Sequence, residues 1–201
     1  MDESEINGGK NLGVQVVRYG KDAIVNYFDR SDLDDKFSSN GNKEFPDIFF
    51  TRQRKPLGLG DAIRYAKKFV GEDPFLILLG DTVYRSNTVD TVTSQIIEKF
   101  MVNGAATMAV ERVPKEKVRD YGIVNGTKVT EGTHIVKSLV EKPAPEDALS
   151  DLGVTGIYVM EPDIFDYLDQ IKIGKNGEYQ FTDALNSYSI NNRMYATTFS
   201  G

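Results

Sequence analysis

The chain has 201 residues, 40% of them hydrophobic and 27% charged, which is enough for one domain with a substantial core. Its net charge of −6 argues against a nucleic acid or an anionic membrane as the main partner, although local cations can still bind a single nucleotide. The absence of cysteine excludes a disulfide framework, a thiol nucleophile and a cysteine-based zinc site.

No stretch of the sequence approaches the ~20 apolar residues of a membrane span, and the N-terminus lacks a signal-peptide pattern. We therefore expect a cytoplasmic protein without a membrane partner. The sequence leaves open whether the chain forms a homo-oligomer.

Predicted strands alternate with predicted helices in the first half of the chain. Residues 1–14 are polar and are expected to be irregular. The elements that follow are strand VQVVRY, helix KDAIVNYF, strand DIFFTRQ (47–53), helix GDAIRYAKKFV (60–70), strand FLILL (75–79), helix 89–104 and strand 106–113. FLILL is apolar throughout and bounded by Pro74 and Gly80, which predicts a buried parallel strand. This alternation is typical of βαβ units.

The second half is richer in predicted strands. Its elements are strands HIVKSLVEK (134–142) and VTGIYVM (154–160), helices 163–171 and 181–190, and strand 194–199. No internal repeat or linker interrupts the chain. The predicted fold class is therefore α/β, a mixed, mainly parallel sheet flanked by helices, in one domain over residues 1–201.

Asp81 is the first candidate site residue, because it follows the apolar strand 75–79 directly after Gly80. Ligands of open α/β sheets bind beyond the carboxyl ends of the strands, and a carboxylate there is a natural Mg²⁺ ligand. Capping of a turn or of the next helix explains Asp81 equally well.

Two further segments follow predicted strands. In RQRKPLGLGDAI (52–63), Gly58 and Gly60 allow a close backbone approach to a ligand, although two turn glycines are the more frequent explanation. In LVEKPAPE (139–146), Glu141 can accept hydrogen bonds from hydroxyls and Lys142 can meet a phosphate, although a solvated strand end fits as well. His134, the only histidine, has no triad or metal partners in the sequence pattern.

Several motifs in series resemble one known family. RQRKPLGLGDAIRYAKKFVGEDPFLILLGD, YGIV, LVEKPAPEDALSDLGVTGIYVMEPDIFDYL and NGEYQFTDALN are similar to the sugar-phosphate nucleotidyltransferases. The most similar type is the prokaryotic UTP–glucose-1-phosphate uridylyltransferase, or UDP-glucose pyrophosphorylase. The resemblance implies a Rossmann-like transferase fold and the Mg²⁺-assisted conversion of UTP and glucose 1-phosphate to UDP-glucose and pyrophosphate.

The same resemblance implies roles for individual residues. Gln53 and the backbone around Gly58 would read the uracil, and Asp81 would hold Mg²⁺ near the ribose. Gly122 and Gly156 would leave room for the sugar. Glu141 would bind the glucose hydroxyls and Lys142 the sugar phosphate. Glu178 and Asp183 belong to a motif near the sugar pocket. Asp81 and Lys142 would be the catalytic pair.

The sequence also departs from the family pattern. Nothing in residues 1–20 matches the family's Gly-rich phosphate loop, and the family continues past MYATTFSG to a second metal-binding aspartate. Asp61 stands where many relatives carry histidine. From the resemblance we expect a chain truncated at both ends, with impaired activity. The alternative is a non-catalytic subunit that binds nucleotide sugars or serves in assembly; a nicotinamide-dependent oxidoreductase is disfavoured by Ile63 in the glycine-rich motif.

Overall fold

A computed structural model describes residues 12–18, 20–29, 47–174 and 177–201 of the chain. The strands are β1 (Leu12–Arg18), β2 (Asp47–Gln53), β3 (Phe75–Leu78), β4 (Thr107–Arg112), β5 (Gly122–Thr130), β6 (Thr133–Glu141), β7 (Leu152–Met160) and β8 (Tyr195–Thr197). The helices are α1 (Asp22–Phe28), α2 (Leu59–Arg64), α3 (Lys67–Val70), α4 (Val92–Asn103), a 3₁₀ helix (Lys115–Asp120), α5 (Ile164–Gln170) and α6 (Phe181–Asn191).

Six strands form one mixed sheet in the order β3-β7-β4-β8-β6-β5. Strands β4 and β8 pair in parallel, and the remaining pairs within this sheet are antiparallel. These pairings orient β3, β4, β5 and β8 in one direction and β6 and β7 in the other. Strands β1 and β2 form a separate parallel pair. The predicted α/β class with a mixed sheet and flanking helices is confirmed.

Helices cover both faces of the sheet because neighbouring strand residues point to opposite sides. Tyr158 and Met160 of β7 pack into a cluster that includes α5 and α6, whereas Ile157 and Val159 pack against α4. Strand β7 is therefore buried on both faces, as its continuous apolar sequence predicts.

Two predicted elements differ from the structure, and one strand of the structure was not predicted. FLILL is not a buried parallel strand: β3 ends at Leu78, pairs antiparallel with β7 and is only half buried, with Leu78 53% exposed. It is an edge strand of the described sheet, so only one neighbour shields it. The predicted helix 60–70 is divided into α2 and α3 at Tyr65 and Ala66. Strand β5 was not predicted, because its second half is exposed and polar.

The last residues of the predicted irregular segment 1–14 belong to a strand. Residues 1–11 lie outside the described part, and Leu12 already begins β1. None of the helices within the described ranges is long and apolar enough to cross a membrane.

Strand register brings four strand segments together at one place. Gly122, where β5 begins, pairs with Glu141, where β6 ends, and Ile123 also pairs with Gly153 of β7. On the other side of β7, β3 ends with Leu78 opposite Ile157. Polar residues next to these strand ends therefore converge around the middle of β7.

Candidate active site

A pocket of about 310 Å³ opens at this convergence of strand ends. Six of the nine site residues expected from the resemblance line it: Asp81, Gly122, Glu141, Lys142, Gly156 and Glu178. The other three, Gln53, Gly58 and Asp183, do not line it. Residues far apart in the sequence thus share one cavity because β3, β5, β6 and β7 are neighbours.

The carboxylate of Glu141 is held by a hydroxyl from helix α6. Thr182 Oγ1 donates a hydrogen bond of 2.6 Å to Glu141 Oε2. Thr182 is 9% exposed and belongs to the first turn of α6, so its side chain has a fixed position. This contact leaves the other carboxylate oxygen of Glu141 free to accept hydrogen bonds from a ligand.

Gly122 leaves room for the contact between Glu141 and Thr182. A Cβ atom at position 122 would lie 3.2 Å from Glu141 Oε2 and 3.7 Å from Thr182 Oγ1. Any side chain there would press on the hydrogen-bonded pair. The absence of a side chain at Gly122 thus leaves room for the hydrogen bond between Thr182 and Glu141.

Lys142 has an unusual backbone conformation. Its φ of 47° is the only positive value among the described non-glycine residues. Such a conformation costs about 1–2 kcal/mol and persists only where surrounding contacts enforce it; here the Lys142 N–H donates to the Tyr121 carbonyl at 3.0 Å. The turn places both Glu141 and Lys142 along the same pocket, with Nζ 3.9 Å from Glu141 Oε1.

Gly156 is required by packing within the protein. Its φ is +96°, and an added Cβ would lie 3.0 Å from the side chain of Leu79. The Leu79 N–H also donates to the Gly156 carbonyl at 3.0 Å. Gly156 therefore lets the segment leading to Asp81 approach β7 closely.

Asp81 is exposed and contributes a carboxylate at the rim of the pocket. Thr82 Oγ1 lies 3.4 Å from Asp81 Oδ1. The described residues contain no group of three histidine or acidic side chains that could hold a metal ion by themselves.

Two tyrosines near the pocket have raised pKa values. Burial raises the pKa of Tyr158, which lines the pocket, and the negative charge of Glu141 adds to the effect. Burial also raises the pKa of Tyr84, whose hydroxyl donates to the Thr155 carbonyl. Both phenols therefore stay protonated and act as neutral groups.

The glycines of the GLG motif allow an approach between two segments of the chain. A Cβ at Gly58 would lie 2.8 Å from Glu178 Cβ, and one at Gly60 would lie 2.8 Å from the Tyr179 carbonyl oxygen. Two backbone hydrogen bonds join these segments, from Tyr179 N to Leu57 O and from Gly60 N to Tyr179 O. The close backbone approach expected for a ligand is thus made by residues 178–179.

Gln53 lines a second pocket of about 310 Å³ together with Arg18, Lys21 and Arg54. It ends β2 directly opposite Arg18, the last residue of β1. Its side chain is 9% exposed, and Nε2 donates to Asp61 Oδ2 and to the Gly58 carbonyl. Gly58 thereby connects Gln53 to the segment bearing Glu178.

A family model described as "Nucleotidyl transferase" matches residues 17–201. The chain belongs to the nucleotidyl transferase family. The family expected from the sequence motifs is thereby confirmed.

Individual relatives of this nucleotidyl transferase carry more specific names. The chain is similar to a UTP–glucose-1-phosphate uridylyltransferase 2 of Streptococcus pyogenes. The two are 41% identical over 157 residues, which are 77% of this chain and 52% of the relative. A UDP-glucose pyrophosphorylase in complex with UDP-glucose matches with a TM-score of 0.87 and 33% identity, over 99% of this chain and 76% of that one. A UTP-bound UGPase of Acinetobacter baumannii matches with a TM-score of 0.80 and 29% identity, over 99% and 73%. The chain spans about half to three fifths of the first curated relatives it matches.

Sequence reasoning missed some residues of the nucleotidyl transferase pocket. Thr182 lines it, whereas Asp183, the neighbour favoured by the resemblance, is exposed and does not. Tyr158 was assigned only to a strand. A short polar residue at the start of a helix was the available signal for Thr182, but that position is as typical of a helix cap.

Proposed function

We propose that the chain transfers a uridylyl group from UTP to glucose 1-phosphate, giving UDP-glucose and pyrophosphate. The observation that carries the proposal is that Glu141, Lys142 and Asp81 line one pocket. The Glu141 carboxylate can bind hydroxyls, the Lys142 ammonium can bind a phosphate, and Asp81 adds a second carboxylate at the rim. The names of the relatives and the UDP-glucose and UTP complexes of the structural neighbours support this base and this sugar.

In this proposal the chain's residues bind and align two anionic substrates. Glu141, oriented by Thr182, accepts hydrogen bonds from glucose hydroxyls, and Lys142 attracts the phosphate of glucose 1-phosphate. A phosphate oxygen attacks the α-phosphorus of UTP while the bond to pyrophosphate breaks, and the electron pair leaves with pyrophosphate. Because the attacking oxygen is already anionic, no general base is needed. Alignment of the reactants can account for roughly 7–11 kcal/mol of the barrier.

Asp81 is the residue that would hold Mg²⁺. Mg²⁺ usually takes one or two protein carboxylates and completes its octahedron with water and substrate phosphates, so a single exposed carboxylate beside the pocket suits it. When bound, the ion offsets the negative charge of the phosphates. Asp81 and Lys142 are then the catalytic residues of the proposal.

Gln53 and the Gly58 backbone are proposed to bind the uracil. Two contacts support this assignment: Gln53 donates a hydrogen bond to the Gly58 carbonyl, and Gly58 packs against Glu178, which lines the first pocket. The matched region, 17–201, supports a single nucleotidyltransferase domain over residues 1–201. The cytoplasmic location stays a prediction.

Two measurements on the purified chain test the proposal. Isothermal titration should detect UDP-glucose binding, and a pyrophosphorolysis assay with Mg²⁺ should form UTP from UDP-glucose and pyrophosphate. Lys142→Met should weaken glucose 1-phosphate binding roughly tenfold or more, whereas Lys137→Met, which removes an exposed lysine from strand β6 just before Lys142, should not.

The outcomes separate the two candidate functions. Binding of UDP-glucose without turnover would favour the non-catalytic nucleotide-sugar subunit. Failure to bind either UDP-glucose or UTP would refute both.

A further inference from the structure

The side-chain amide of Gln53 is held by two acceptors. Its Nε2 lies 2.7 Å from Asp61 Oδ2 and 3.2 Å from the carbonyl oxygen of Gly58. A carboxylate and a backbone carbonyl can only accept hydrogen bonds, so each must face an N–H. Both hydrogens of the amide nitrogen are therefore engaged within the protein.

These two contacts fix which end of the amide faces outward. Turning the amide by 180° would put its oxygen against two acceptors, one of them charged, so the reverse orientation is disfavoured. Gln53 Oε1 receives no hydrogen bond from the described residues. The carbonyl oxygen is thus the polar group that Gln53 has left for a ligand in its pocket.

A free carbonyl oxygen distinguishes between pyrimidine bases. Uracil has a ring N–H at position 3, which can donate to Oε1, whereas the same ring nitrogen of cytosine is an acceptor and would face another acceptor. A base that leaves Gln53 Oε1 buried without a hydrogen-bond donor should bind roughly tenfold or more weakly.

We propose that Asp61 is a positioning residue, which holds the Gln53 amide with its oxygen toward the base and thereby makes the nucleotide pocket select uracil over cytosine. The inference rests on the proposed function, since it assumes that Gln53 lies at the base. It extends that function to a residue that does not itself touch the substrate.

Asp61 also has a purely structural explanation. It lies in the first turn of α2, where a carboxylate stabilises the helix N-terminus by a few tenths of a kcal/mol to about 1. Asp166 stands in the same place in α5, lies 4.0 Å from the exposed Lys67 Nζ and does not line the Gln53 pocket. Asp166→Asn is therefore the matched control for loss of a first-turn carboxylate.

The experiment measures the dissociation constants of UTP and CTP for four proteins: wild type, Asp61→Asn, Asp61→Glu and Asp166→Asn. We expect wild type and Asp166→Asn to bind UTP at least about tenfold more tightly than CTP, and Asp61→Asn to reduce that ratio to about threefold or less. Asparagine at position 61 can present either its oxygen or its N–H to the Gln53 amide and so no longer enforces one orientation, whereas Asp61→Glu keeps an acceptor-only group and should keep part of the preference. Thermal melting should show similar stability losses in both asparagine variants.

A second readout needs no ligand. In wild type the side-chain amide protons of Gln53, assigned by comparison with Gln53→Ala, should exchange slowly with solvent, and in Asp61→Asn one of them should exchange faster. This measurement keeps the inference testable if a variant folds poorly.

The outcomes distinguish the inference from the proposed function. An unchanged UTP-to-CTP ratio in Asp61→Asn, or a wild type that binds both nucleotides equally well, would overturn the inference and leave uridylyl transfer standing. A wild type that binds neither nucleotide would overturn the proposed function and the inference with it.

Discussion

Replacing Gly58 by alanine should destabilise the protein more than the same change at another glycine of similar conformation. At position 58 the new Cβ would lie 2.8 Å from Glu178 Cβ and 2.9 Å from the Tyr179 carbonyl oxygen. Contacts below 3.0 Å force the backbone at 178–179 to shift, because neither atom is the end of a flexible side chain. The shift would also strain the hydrogen bond from Tyr179 N to Leu57 O.

The magnitude has two parts. Alanine at the positive φ of Gly58, +96°, costs about 1–2 kcal/mol. Overpacking against residues 178–179 adds about 1–3 kcal/mol. The expected loss for Gly58→Ala is therefore roughly 2–5 kcal/mol.

Gly71→Ala is the matched control. Gly71 also has a positive φ, +68°, but a Cβ there would meet no atom within 4 Å. This variant should lose only the first part, about 1–2 kcal/mol, so the two variants should differ by about 1–3 kcal/mol, or roughly 2–12 °C in Tm. Thermal unfolding followed by circular dichroism gives both values. Equal Tm losses would refute the close approach between the GLG motif and residues 178–179.

Three other changes follow from the pocket and from the single histidine. Thr182→Val removes the hydroxyl that orients Glu141 and should weaken UDP-glucose binding roughly tenfold in titration, whereas Thr182→Ser should restore it. Lys142→Gly should bind glucose 1-phosphate more weakly yet melt at the same or a higher temperature, because glycine relieves the positive φ; a lower Tm would contradict that account. Burial, together with the charges of Arg112 and Lys128, lowers the pKa of His134, so the unfolded chain binds a proton more readily than the folded protein. Stability should therefore fall as the pH drops below about 6.5, and His134→Gln should flatten that part of the Tm–pH curve; an unchanged slope would exclude His134 as its source.

The motifs of the candidate site were readable from the sequence because they combine special residues at fixed spacing. Glu141, Lys142 and the glycines at 122 and 156 stand in short segments whose series resembles the family, and the family model matches the region that contains them. Strand β7 and helix α4 were equally readable, since an apolar run and a helical apolar face each have a clear period. Local pattern thus predicted most of the element types, and the resemblance carried by the series of motifs supplied the candidate residues.

Other features could not be read in this way. The edge position of β3 depends on which strands pair with it. An apolar run such as FLILL fits an edge strand and a central strand equally well, so the sequence does not distinguish them. The contact of Thr182 with Glu141 joins residues 41 positions apart, and the contact of Gln53 with Asp61 depends on how α2 turns away from β2.

By itself, the sequence determined the α/β class, the family and six of the residues that line the pocket, because element patterns and a series of family motifs can be read along the chain. Only the tertiary structure decided that Gly58 and Gly60 accommodate residues 178–179, that Thr182 rather than Asp183 reaches Glu141, and that Asp61 orients Gln53. The physical reason is that close packing and hydrogen-bond direction depend on which surfaces meet after the strands have paired, and that choice is made by the whole sheet.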